Sequence, residues 1–153
     1  MLRNFILLLL FSSSIAACQS KIAKQEVVFV CTHGAARSPI AAAYFNKLAD
    51  EKDLEFHAVF KGTEPDEELT EGTISGLSKD GFEISDWRPQ KVSDADILGA
   101  HTIVTFDCQL PSASNTASTV QWNGTPSISK DYDKARNDIR ERVEDLIDSL
   151  GAD

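Results

Sequence analysis

The chain has 153 residues, enough for one domain with a real apolar core. Fifteen Lys and Arg against 24 Asp and Glu leave a formal net charge of −9, with a sequence pI of about 4.7. That balance argues against a nucleic-acid partner and gives no long-range pull on highly phosphorylated substrates, so any bound anion must be held by local positive charge.

Met1 to Asn4 forms a short n-region with one basic residue, and residues 5–11 are an apolar stretch too short to span a bilayer stably. Ile15-Ala16-Ala17-Cys18 resembles a bacterial lipobox, in which the cysteine becomes the lipidated mature N-terminus. Residues 1–17 therefore read as a lipoprotein signal peptide, 18–25 as anchor and short polar linker, and 26–153 as the folded domain. A plain signal peptide cut nearby, leaving Cys18 a free thiol, is the alternative. Gln19 stands where an aspartate would retain a lipoprotein at the inner membrane, which points to the outer membrane. The expected location is the cell envelope, exported and lipid-anchored through Cys18.

Glu26 to Cys31 reads as a buried parallel strand, because Val27-Val28-Phe29-Val30 is a run of four apolar, mostly β-branched residues. Ser38 to Leu48 reads as a helix, with Pro39 suited to its first turn. Between them, Thr32-His33-Gly34-Ala35-Ala36-Arg37 can turn its N–H groups inward as an anion nest at the positive end of the helix. Gly34 can take positive φ there, and Ala35 and Ala36 leave the backbone accessible. Arg37 can fork onto two oxygens of a tetrahedral anion, and the Ser38 hydroxyl is placed to hydrogen-bond Cys31. A thiol at a helix N-terminus beside a guanidinium loses its proton more readily. Thr32 to Ser38 is thus a candidate phosphate-binding loop, with Cys31 and Arg37 as candidate catalytic residues. The implied chemistry is attack on phosphorus to give a phosphocysteine that water removes. The blander reading is a structural cysteine at a strand end. No G-x-x-x-x-G-K-[ST] is present, so this is not a nucleotide P-loop.

The remaining elements alternate strand and helix. Residues 54–60 (LEFHAVF) form a second strand, 66–79 a helix ending near Gly81, and 94–98 a helical turn. Residues 102–106 form a third strand and 119–122 a short fourth. Residues 131–150 are the clearest helix, with Ala135, Ile139, Val143, Leu146, Ile147 and Leu150 at helical spacing. Residues 109–119 are loop-like and border the active site or lie on the surface. The pattern predicts a three-layer α/β sandwich on a four-stranded parallel sheet in flavodoxin-like order, with Cys31 at the ligand-binding edge. His33, His57 and His101 show no metal-ligand spacing, so neither a metal nor an organic cofactor is expected. His33 either acts on Cys31 and substrate or makes a loop hydrogen bond. Trp87 and Trp122 read as core or rim packing, with a cleft wall as the alternative; Tyr132 is read as packing and Arg88 as solvated.

C-x5-R-S immediately after the first strand, within FVCTHGAARSPIAAAYFN, resembles the low-molecular-weight protein tyrosine phosphatases and their relatives, the thioredoxin-coupled arsenate reductases. The resemblance covers roughly residues 25–150. Two departures stand out. The family's Gly-Asn at the second and third positions after the cysteine is His33-Gly34, and a histidine there is more like the reductases. The family's general acid is an Asp in a late Asp-Pro pair, whereas here Pro126 follows Thr125. Asp131, ahead of Asp133, is the nearest replacement, with helix capping as the competing role. Cys108 is a possible redox partner for Cys31, as the resemblance to the reductases implies. However, Asp107 occupies the place where their second cysteine would fall, and that aspartate is more like the phosphatases.

The leading expectation is a cysteine-dependent phosphatase acting on aryl or protein tyrosine phosphates, or on another phosphorylated small molecule or protein. The alternatives are an arsenate reductase using Cys31 and Cys108, and a non-catalytic oxyanion-binding lipoprotein.

Overall fold

The computed structural model describes residues 23–111 and 118–152, so the Cys18 lipobox and most of the 109–119 loop lie outside the described residues. The described elements are β1 (Gln25–Cys31), α1 (Arg37–Glu51), β2 (Phe56–Gly62), α2 (Glu71–Lys79), α3 (Asp94–Gly99), β3 (Thr102–Phe106), β4 (Ser118–Trp122) and α4 (Tyr132–Leu150). All strand pairs are parallel and the sheet order is β2-β1-β3-β4, the expected four-stranded, doubly covered arrangement.

Alternation along β1 divides the core. Val27, Phe29 and Cys31 belong to the larger cluster, with Phe45 of α1, Ile139 and Val143 of α4, and Leu77 of α2. Val28 and Val30 face the smaller cluster under α3, with Ile97 and Ile103. Residues Ser38 to Phe45 of α1 are buried without interruption, because the helix is wedged between the sheet and α4, and its alanines allow that close approach. Trp122 is core rather than cleft wall: its ring lies 5.6 Å from Phe29 and 5.4 Å from Phe106.

Several boundaries differ from the sequence expectation: α1 runs on to Glu51 rather than Leu48, and two others bear on the site. Strand β2 runs two residues later than 54–60, because Gly62 still pairs with Cys31 on one side and exchanges bonds with Gln90 and Val92 on the other. Helix α2 begins at Glu71 rather than Asp66, because residues 63–70 use their N–H groups elsewhere. Among the described residues no helix is long and apolar enough to cross a membrane.

Candidate active site

Residues 63–70 run alongside the loop that follows Cys31. The N–H groups of Thr63, Glu64, Asp66 and Thr70 donate to the carbonyls of Cys31, Thr32, His33 and Ala35, at 2.8–3.2 Å. With four carbonyls held from outside, the loop's own N–H groups are left to the inside, as an anion nest requires. The contact is tight enough to exclude side chains at two places. Gly34 has φ +60, and a Cβ there would sit 2.9 Å from the Gly62 nitrogen; a Cβ on Gly62 would sit 2.8 Å from the Gly34 nitrogen. Glycine is the residue that satisfies both conditions.

The helix ends show the same division of labour. Thr70, Ser93 and Asp131 cap α2, α3 and α4 with their side chains, and α3 has a full capping box. Helix α1 starts at Ala36 with no side-chain cap and no acidic residue in its first turn. Its unpaired N–H groups and the positive end of its dipole open toward the loop.

Cys31 is 3 % exposed and its Sγ lies 3.1 Å from the Ser38 Oγ, which also reaches the Lys61 carbonyl at 3.3 Å. The serine has one proton for two acceptors. Beside a thiol it donates to Lys61 and accepts from sulfur; beside a thiolate it turns to the sulfur. Arg37, the first residue of α1, lies 5.9 Å above the Phe106 ring and donates from Nη1 to Asp107 Oδ2 at 2.5 Å. Asp107 Oδ1 accepts the Gly124 N–H at 3.1 Å. Asp107 has φ +47, a left-handed conformation that Asp tolerates better than most residues. This aspartate therefore ties the loop's arginine to the β4–α4 connection, a contact across 70 positions that sequence spacing does not reveal.

Beside Arg37 lies a cleft of about 720 Å3. It is lined by Ala36 and Arg37, by Thr70 to Gly72, and by residues 125–129. Asp131 is not among the lining residues; its Oδ1 accepts the Lys134 N–H at 3.0 Å as the α4 cap. Glu71, the first residue of α2, is the acidic residue of this lining among the described residues. Thr125 is 8 % exposed and its hydroxyl has no partner among the described residues. Among the described residues no aromatic ring lines this cleft: Trp87 stacks on Phe60 at 5.3 Å in other grooves, and Tyr132 donates to Asp80 at 2.7 Å. Arg88 is engaged by the Ser85 and Trp87 carbonyls. His33 Nδ1 faces Asp66 Oδ1 at 3.2 Å, a bridge from the loop to its scaffold rather than to Cys31.

Cys108 is a free thiol, as is Cys31. Its Sγ points to the Val30 carbonyl at 3.5 Å, packed with the smaller core cluster, whereas Cys31 belongs to the larger one on the opposite face. Burial, and after it the nearby Cys31 charge, push the Cys108 thiol up from its ordinary range.

A strand-loop-helix nest with a buried thiol at its focus and an arginine at its lip defines a cysteine-dependent, oxyanion-binding α/β enzyme fold. The sequence matches the family described as low molecular weight phosphotyrosine protein phosphatase over residues 26–148, and the chain belongs to that family. It is 26 % identical over 131 residues to a candidate arsenate reductase of Halobacterium salinarum, covering 82 % of this chain and 92 % of that one. A thioredoxin-dependent arsenate reductase from Corynebacterium glutamicum superposes with a TM-score of 0.72 at 23 % identity, over 86 % of this chain but 64 % of that longer one. A low molecular weight protein tyrosine phosphatase from T. tengcongensis gives 0.67 at 21 % identity, over 82 % and 99 %. Members of the family are cysteine-dependent enzymes, phosphatases or arsenate reductases.

Proposed function

We propose that the chain is a phosphomonoester hydrolase. The observation that carries this reading is the Cys31 sulfur at the focus of a loop whose carbonyls are held outward, with Ser38 behind it and Arg37 at its lip. The Cys31 thiolate attacks phosphorus, the P–O bond to the departing group breaks, and water then attacks the phosphocysteine to release phosphate. Backbone N–H groups from Thr32 to Arg37 and the Arg37 guanidinium carry the charge on the transferring group. Asp131, the sequence candidate for the proton donor, is engaged as a cap outside the cleft. Departing groups that need no proton, such as p-nitrophenolate, therefore leave most readily. The test is hydrolysis of p-nitrophenyl phosphate by the reduced protein against Cys31→Ser. Turnover that survives the substitution, or none in folded wild-type protein, would sink the reading.

Arsenate reduction is the second reading. It is favoured by the Halobacterium relative and by the electrostatic influence of Cys31 on Cys108. It requires reductant to be consumed in proportion to arsenate, and Cys108→Ser to abolish that consumption. Cys108 packs with the smaller core cluster and Cys31 with the larger, so the two sulfurs are not joined in this structure. The lipobox adds export and anchoring through Cys18 to the proposal; fatty-acid labelling lost in Cys18→Ala is its test.

A further inference from the structure

We infer that the cleft beside Arg37 selects a phosphomonoester whose departing group is small, non-aromatic and carries a cation close to the ester oxygen: an aminoalkyl phosphate. The inference rests on the hydrolase reading and concerns the half of the site that holds the departing group.

Two observations meet in that cleft. The first is charge. Arg37 and Glu71 are the charged residues in its lining, and Arg37 is already paired with Asp107. Glu71 makes no side-chain hydrogen bond or ion pair with another described residue. The α2 N-terminus makes a carboxylate favourable at this position. Glu71 leaves the lining net negative once the Arg37–Asp107 pair is counted. A phosphate dianion carrying no positive charge meets that carboxylate as repulsion; one carrying an ammonium meets it as a partner. The second is surface chemistry. The wall is threonine, serine and glycine, with Ile128 and Pro126 as its apolar parts, and offers no ring on which a phosphotyrosine could stack. The hydroxyls of Ser127 and Ser129 already bond each other at 2.9 Å, and that of Thr70 caps α2.

An ammonium two carbons from the ester oxygen also resolves the proton question. As Cys31 attacks and the P–O bond breaks, the ammonium transfers one proton to the departing oxygen. A neutral amino alcohol leaves and takes a proton from water outside the site. The carboxylate of Glu71 orients the ammonium, and no side-chain acid need be consumed.

The test compares O-phosphoethanolamine with n-propyl phosphate, which has the same length and phosphate charge but no cation. Binding of both to full-length Cys31→Ser is measured by calorimetry at low ionic strength, so that the result does not depend on turnover. Phosphoethanolamine should bind about three- to fivefold more tightly, the size expected of a solvent-exposed ion pair. The preference should fall toward unity in the Cys31→Ser, Glu71→Gln double variant and shrink at high salt. Equal binding of the two ligands, or a preference unchanged by Glu71→Gln, would overturn the inference and leave the hydrolase reading intact. That reading fails separately, if p-nitrophenyl phosphate is not turned over by Cys31.

Discussion

The two flanks of Cys31 are built from different materials. On the phosphate side the contacts are backbone to backbone: four carbonyls fixed by residues 63–70, two glycines in mutual contact, and an uncapped helix end. On the departing-group side they are side-chain features: Glu71, the unpartnered Thr125 and the Asp107 bridge from Arg37 to Gly124. Backbone geometry survives most substitutions, so the first flank defines the reaction class. Side chains change one at a time, so the second flank is where members of one fold can differ in substrate.

The sharpest way to separate the flanks is Cys31→Ser. Turnover of p-nitrophenyl phosphate should fall by about 10⁴-fold or more, the scale seen when a covalent nucleophile is removed. Phosphate should still stabilise the variant against heat, because the nest does not depend on sulfur. A variant that loses phosphate stabilisation together with turnover would mean that the thiolate, not the backbone, organises the anion site.

Gly34→Ala attacks the phosphate flank directly. The new Cβ meets backbone at 2.9 Å in a residue held at φ +60. Left-handed strain and overpacking together predict a loss of about 3–4 kcal/mol, readable as a lower urea midpoint, with phosphate stabilisation lost as well. Ordinary stability with intact phosphate binding would show that the loop tolerates a different path.

The phosphate flank was also the legible one. Cys31, Gly34, Arg37 and Ser38 lie within eight consecutive positions, and strand, nest and helix start are local features that a linear pattern records. The sheet followed from the alternation of strands and helices. What sequence concealed was tertiary. The run Asp66 to Thr70 has helix-compatible residues, yet the N–H groups of Asp66 and Thr70 bond the anion loop instead, and α2 starts at Glu71, a residue of the cleft lining. Asp107 and Arg37 meet across 70 positions. Trp122 reads as core or rim packing, and its contacts with Phe29 and Phe106 place it in the core.

A clamp below the departing-group flank offers the next test. Asp80 accepts from Tyr44 at 2.8 Å, Tyr132 at 2.7 Å and Arg136 at 3.0 Å, fixing the first turn of α4 against α1 and the end of α2. The Tyr132 ring also packs against Gly76, where any Cβ would overlap it. Burial pushes the Asp80 carboxyl up, but the two phenol donors and the Arg136 charge outweigh it and hold the group below the usual carboxylate range. A carboxyl depressed in the folded state stabilises fully above its unfolded value, near pH 4, and loses that contribution as pH falls through its folded value. Asp80→Ala should therefore cost about 3 kcal/mol at pH 7, and its deficit against wild type should narrow below about pH 4. Urea unfolding at pH 7, 4 and 3 measures this; a deficit independent of pH would assign the loss to packing alone.

The smallest expected effect decides the most about the departing-group flank. Asp131 caps α4 through Oδ1 and lies outside the cleft lining, so Asp131→Ala should cost about 1 kcal/mol of stability, the ordinary value of an N-cap. Turnover of p-nitrophenyl phosphate should stay within about twofold, since that departing group needs no acid. An alkyl phosphate makes the comparison sharper. If Asp131 were the proton donor, Asp131→Ala would slow the alkyl ester about 10²-fold or more while sparing the aryl one, and would remove the alkaline limb of the pH profile. Asp131→Asn keeps the cap and discards the acid, so it should restore stability in either case. Only its alkyl-ester rate separates the two roles. A normal rate places Asp131 in the scaffold and leaves Glu71 as the carboxylate that meets the departing group; a collapsed rate would place the proton donor at the α4 N-terminus after all.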